Sequence, residues 1–136
     1  MTTALPWWSG TVVYQLIVRS YADGNGDGVG DFKGLASRLP YLRWLGVKTI
    51  WLTPIYPSPL RDGGYDITDF TGIHPDLGDL ASFHRFLTAA HSQGMRVILD
   101  LVLNHTSDLH PWFQRARWAQ PGSPEREMYV WSDDPN

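Results

Sequence analysis

A chain of 136 residues with formal net charge −3, 43% hydrophobic content and seven tryptophans has enough apolar surface to fold, which excludes a disordered tail. It carries no run of basic residues, so the electrostatic footprint of a nucleic-acid binder is missing, and no apolar run approaches the ~18 residues that would span a bilayer. Without cysteine, disulfides and thiol chemistry drop out, and the opening MTTALPWWSG lacks a basic segment followed by a long apolar one, so the sequence reads as cytoplasmic.

The first β-prone run, VVYQLIV (12–18), leads into DGNGDGVGD (23–31). Read as a cation loop, Asp23, Asn25 and Asp27 supply oxygens at the first, third and fifth places, and Gly28 makes the turn at the sixth. Val29 offers its carbonyl at the seventh and Asp31 takes the ninth. The twelfth place is Gly34 where an EF-hand requires a bidentate Glu, so the loop predicts a calcium site in a different scaffold. A solvated turn is the competing reading, because Asp, Asn and Gly dominate turns that hold no metal.

Next comes DFKGLASRLPYLRWLG, with Leu35, Leu39, Leu42 and Leu45 at helical spacing and Gly46 as the stop. Pro40 predicts a kink or two short helices, with the proline in the first turn of the second. KTIWLTPI (48–55) is the second strand run, followed by a loop holding Tyr65 and Asp66. DLASFHRFLTAAHSQG opens on Asp79 as N-cap and places Leu80, Phe83, Leu87 and Ala90 on one face before Gly94. RVILDLVL (96–103) is the third strand run and ends at Asn104 and His105. Strands apolar on both faces, alternating with helices, predict a helix-covered parallel sheet, either doubly wound or a (β/α)8 barrel. An Asp-rich first turn without GxGxxG would repel a pyrophosphate, which argues against a dinucleotide.

In both architectures the chemistry follows the strands, where Tyr65, Asp66 and His105 stand. An aromatic ring beside a carboxylate and an imidazole suits a sugar, whose C–H face stacks on the ring while its hydroxyls take directional bonds. The competing readings are a turn pair with a packed ring for Tyr65 and Asp66, and a strand-end cap with a satisfied histidine for Asn104 and His105. His74, His84, His91 and His110 lack metal-ligand spacing and read as loop or helix-surface residues. Trp7, Trp8, Trp112 and Phe113 read as packing under loops, and Arg61 and Asp62 as shaping the pocket beside Tyr65.

Together VVYQLIVRSYADGNGDGVGDFKGL, IWLTPIYPSP with GYDITDF, and ILDLVLNHTSDLHPWF resemble the N-terminal part of the α-amylase family of glycoside hydrolases and transglycosylases (family 13), over essentially the whole chain. Within it, SPLRDGGYDI and PGSPEREMYVWSDDP are most similar to the trehalose synthases, which interconvert maltose and trehalose, with α-glucosidases and oligo-1,6-glucosidases as near relatives. The resemblance implies an α/β fold, the first three or so βα units of a (β/α)8 barrel. Residues 1–105 would hold three strands and two helices, and 106–136 would begin a small extra domain after the third strand.

The resemblance further implies structural calcium on Asp23, Asn25, Asp27, the Val29 carbonyl and Asp31. Tyr65 would stack under the sugar, Asp66 and His105 would bond its hydroxyls, and Asp100 would be a supporting carboxylate. Asn104 corresponds to a calcium ligand in many α-amylases, and the different calcium loop leaves open whether it holds metal here. The implied partner is an α-glucoside: maltose, trehalose, or a malto- or isomalto-oligosaccharide. The family's nucleophile, acid/base and third carboxylate lie on later strands, so no catalytic residue is placed in this chain. The alternative is a truncated, non-catalytic fragment that at most binds calcium or sugar. Three strands without the other five would leave apolar edges bare, which predicts that the isolated polypeptide is poorly soluble or partly molten.

Overall fold

A computed structural model describes residues 5–132; Asp133, Asp134 and Pro135 of the trehalose-synthase-like ending and the first four residues of the opening stretch lie outside the described residues. Three strands, β1 (Val13–Leu16), β2 (Thr49–Leu52) and β3 (Arg96–Leu99), form one parallel sheet in the order β1-β2-β3. Val13 pairs with Thr49, and Thr49 with Arg96. Each strand is shorter than its apolar run, and the ladder gains one further bond past each pair, from Thr53 N to Leu16 O and from Asp100 N to Leu52 O, both at 3.2 Å.

The described chain divides into two compact units. The first comprises residues up to Ile55 together with Gly72–Leu101, and the second comprises Tyr56–Thr71 together with residues from Val102 onward. In the first unit the leucine stripe splits where Pro40 predicts, into α1 (Phe32–Ser37) and α2 (Leu39–Trp44), with the proline in the first turn of α2. Leu35, Leu39 and Leu42 are buried completely, whereas Leu45, expected on the same face, is 48% exposed as the C-cap. Helix α3 (Leu80–Ser92) begins with a reciprocal cap: Ser82 N donates to Asp79 Oδ1 at 2.6 Å, and Asp79 N donates to Ser82 Oγ at 2.8 Å.

The buried face of α3 differs from the expected one. Phe86, absent from the predicted stripe, is fully buried with Ala90, while Leu80 is 53% exposed because it opens the helix one turn before the aromatic cluster. In that cluster Phe32 of α1 lies edge-on to Phe83 at 5.3 Å and stacks on Phe86 at 5.7 Å, and burying a ring of this size stabilises by roughly 2–3 kcal/mol. Strand β2 is buried as expected. Strands β1 and β3 are not covered on both faces, since Val13 is 40% and Ile98 36% exposed; each has a strand on one side only.

Asp31 is buried and serves as the N-cap of α1, accepting from Gly34 N at 2.6 Å and from Gly24 N at 3.3 Å. Asp31→Ala removes the cap and strands these two amides, so the full-length polypeptide should lose about 2 kcal/mol in a denaturant titration, and Asp31→Asn, which keeps an acceptor, should lose less.

Three carboxyl groups of this unit sit below their ordinary value. The Gly26 and Gly28 amides lower Asp23, the Arg19 guanidinium lowers Asp76, and the Ser82 amide and hydroxyl lower Asp79. A depressed native pKa contributes stability that is complete above the ordinary value of 3.8 and is lost as pH falls through the lowered native values. Melting temperature should therefore begin to fall below about pH 4, and Asp79→Asn should make that descent shallower.

The second unit contains a helix within the stretch expected to begin the extra domain, α4 (Pro111–Trp118), which the strand and helix patterns above do not include. Its signal was His110-Pro111, a cap followed by proline at the first helical position. His110 is not a surface residue but is 4% exposed, accepting from Trp112 N at 3.0 Å and packing its ring 4.7 Å from Trp112 and 5.7 Å from Phe70. Burial pushes its pKa down, Asp69 opposes this and Arg115 adds to it. Phe113 meets Tyr129 edge-on at 5.2 Å and stacks on Trp131 at 5.8 Å, with the Arg126 guanidinium 3.5 Å above the Trp131 ring. Among the described residues no helix is long and apolar enough to cross a membrane.

Candidate functional site

Within the second unit the loop from Ser58 to Asp66 closes on its own last residue. The Ser58 hydroxyl donates to Asp66 Oδ1 at 2.5 Å, and the Arg61 amide donates to Oδ2 at 2.9 Å. Both carboxylate oxygens are thereby engaged by donors from their own loop. Burial pushes the Asp66 carboxyl up, but the Ser58 hydroxyl, the Arg61 amide and the amides of Asp66 and Asp62 outweigh it and hold the group below the ordinary value. Asp66 is thus a fixed, ionised acceptor.

His105 belongs to the same unit. The Asn104 side-chain nitrogen lies 2.9 Å from His105 Nδ1, and the Tyr65 carbonyl lies 3.2 Å from Nε2. An amide nitrogen only donates and a carbonyl only accepts, so Nδ1 is the acceptor and Nε2 carries the proton. The imidazole is therefore turned by Asn104 and presents an N–H at the backbone of Tyr65. An incoming hydroxyl would compete with the Tyr65 carbonyl for that proton. Tyr65, Asp66 and His105 are thus brought into one cluster, with Tyr65 and Asp66 half-buried and His105 exposed.

Asp100 lies in the first unit, just past β3, where the Trp51 indole N–H donates to its Oδ1 at 2.5 Å. This bond occupies one oxygen with a structural partner. The acidic loop of the first unit is an array of turns closed by side chains. Asp23 accepts from the amides of Asn25, Gly26 and Gly28 at 3.0, 2.7 and 2.8 Å. Asp27 accepts from the Val29 amide at 2.8 Å and from the Asn25 amide group at 2.9 Å. These bonds are what a metal-free turn makes; the amides of Gly26, Gly28, Asn25 and Asp27 all bear on Asp23, while Asp27 accepts from the Val29 amide and the Asn25 side chain. Among the described residues no three His, Cys, Asp or Glu side chains form a metal-binding group. The donors fit oxygen-only cation chemistry, with Asn25 and a backbone carbonyl completing what the carboxylates begin.

Three residues around Asp66 were not singled out from the sequence. Ser58 acts through its hydroxyl and Leu60 through its amide, in a turn that composition does not reveal. Asp108 pairs through both oxygens with Arg61 Nη1 at 3.2 and 3.3 Å, a contact across 47 positions of chain.

The family described as alpha amylase, catalytic domain, matches residues 15–136. The trehalose synthase of Pimelobacter sp. is 54% identical over 127 residues, covering 93% of this chain and 22% of that protein. That of Thermus thermophilus is 57% identical over 129 residues, covering 95% and 13%. The glucan 1,6-alpha-glucosidase of Streptococcus dysgalactiae subsp. equisimilis is 48% identical over 130 residues, covering 96% and 24%. Among solved structures, a MutB mutant in complex with glucose matches with TM-score 0.90 and 45% identity, over 96% of this chain and 23% of that one. The trehalose-6-phosphate hydrolase of Bacillus licheniformis matches with TM-score 0.89 and 46% identity, over 95% and 23%. The chain spans between 13% and 24% of the length of these curated relatives. Its three parallel strands and connecting helices are the N-terminal portion of a (β/α)8 barrel, and the chain belongs to the α-amylase family of glycoside-transforming enzymes.

Proposed function

We propose that this chain supplies the glucosyl-binding loops of a retaining enzyme that interconverts maltose and trehalose. The observation that carries this reading is the 54% and 57% identity to two trehalose synthases over 93% and 95% of the chain. Tyr65 gives the ring on which the apolar face of a glucosyl unit stacks, the Asp66 carboxylate accepts from its hydroxyls, and the His105 Nε2 proton donates to an oxygen. Retention requires two carboxyl groups ~5 Å apart, one attacking the anomeric carbon and one protonating the leaving oxygen. Asp66 and Asp100 are held by structural partners, the family resemblance implies that the catalytic pair lies on later strands, and the part proposed for this chain is to hold the sugar. Asn104 is assigned to orienting His105. Residues 1–105 then belong to the barrel and 106–136 begin a small extra domain, a division supported by α4 and its aromatic neighbours.

A hydrolytic reading is favoured by the 48% identity to a glucan 1,6-alpha-glucosidase. The two separate when the full-length polypeptide is incubated with maltose and the sugars are quantified. Trehalose as the main product supports the isomerising reading, glucose alone replaces it with the hydrolytic one, and unchanged maltose, isomaltose and trehalose contradict both.

The cofactor proposed is structural calcium on Asp23, Asn25, Asp27, the Val29 carbonyl and Asp31, where Asp31 caps α1 through Oδ1 and carries a second oxygen bound only by Gly24 N at 3.3 Å. Calcium there would tie the loop to the start of the helix. Asp27→Ala in the full-length polypeptide should lower the melting temperature in calcium to that of the chelated wild type, and identical melting of both proteins at every calcium level supports the solvated turn instead.

A further inference from the structure

Resting on the reading of Asp66 as a sugar-hydroxyl acceptor, we propose that Ser58 is a positioning residue that sets the direction of the Asp66 carboxylate. The hydroxyl stands in a relay: Leu60 N donates to Ser58 Oγ at 2.9 Å, and Oγ donates its one proton to Asp66 Oδ1 at 2.5 Å. With Arg61 N on the other oxygen at 2.9 Å, the carboxylate is held at two points, which fixes the plane of the group and leaves it no free rotation. Without Ser58 the carboxylate keeps only backbone amide donors, those of Arg61, Asp66 and Asp62, and loses the side-chain donor that fixes Oδ1.

The backbone is strained to make this relay. Leu60 has φ +60°, and among the described residues it is the only non-glycine with positive φ. A branched side chain in that region is disfavoured, and such strain persists only where surrounding contacts over-determine it. Here those contacts are the Leu60 and Arg61 amides, both aimed at the Ser58–Asp66 pair. The Arg61 side chain continues to Asp108, fastening the far side of the loop within the same unit. The loop is therefore shaped around one anion, and Ser58 is the member whose removal frees that anion without deleting it.

The test is a double-mutant cycle in the full-length polypeptide, with maltose as substrate and glucose binding measured by calorimetry. If the wild type converts no α-glucoside, the proposed function itself fails and the cycle is not reached. Given activity, Ser58→Ala should lower kcat/KM and weaken glucose binding about tenfold, the scale of one hydrogen bond to a charged group, with Ser58→Thr restoring most of both. In an Asp66→Asn background the same Ser58→Ala change should cost under about twofold, because the interaction it supports is already gone. Should Ser58→Ala not accumulate, Ser58→Cys keeps the volume with only a weak S–H donor and should show the same dependence on Asp66. Unchanged kcat/KM and glucose binding in the Ser58 variant, or an equal loss with and without the Asp66 carboxylate, overturns the proposal.

Discussion

Gly34→Ala is expected to destabilise the full-length polypeptide by about 3 kcal/mol or more, although alanine in a helix normally gains about 1 kcal/mol over glycine. Gly34 is the third residue of α1 and is buried. A Cβ there would lie 2.0 Å from the Ala22 carbonyl oxygen, 2.5 Å from its carbon and 2.9 Å from Gly24 N. These are backbone atoms of the acidic loop, and no rotamer change moves them away. The loop and helix would have to separate, breaking the Asp31 cap between them. Gly46→Ala is the control, since its Cβ meets nothing within 4 Å and only the φ of +86° is unfavourable, a cost of about 1 kcal/mol. Thermal or denaturant unfolding of both variants checks this. A Gly34→Ala protein as stable as the wild type would mean that the loop does not pack against α1 as described.

The second large effect is on binding. Asp66→Asn should lower kcat/KM on maltose by about 100-fold, from the loss of two charge-assisted hydrogen bonds at about 1.5 kcal/mol each. Asn keeps one acceptor oxygen but presents an N–H₂ where the carboxylate accepts from Ser58 or Arg61, so the loop loses one of its attachments to this group as well. Steady-state kinetics beside a melting curve separate the two consequences. A loss smaller than tenfold in a folded Asp66→Asn enzyme would remove Asp66 from the sugar site.

Elements with local signals were legible in the sequence. Pro40 marked the break between α1 and α2, and Asp79 marked the start of α3. What failed depended on partners distant in the chain. The exposure of Val13 and Ile98 follows from having a strand on one side only, which no periodicity within either strand records. Leu80 and Phe86 exchanged places because the aromatic cluster with Phe32, distant in the chain, decides which residues of α3 are covered. Asp66 and His105 were singled out by residue type and position after a strand. Their fixation by Ser58, Arg61 and Asn104 was not, because it rests on where hydrogen atoms point.

The assignment of Tyr65, Asp66 and His105 to one glucosyl pocket is tested most directly by a crystal structure of the full-length polypeptide soaked with glucose. The account predicts the sugar with its apolar face on the Tyr65 ring, two hydroxyls within hydrogen-bond distance of Asp66, and an oxygen at His105 Nε2. Glucose bound elsewhere, with Asp66 still held by Ser58 and Arg61 but touching no sugar, would contradict it.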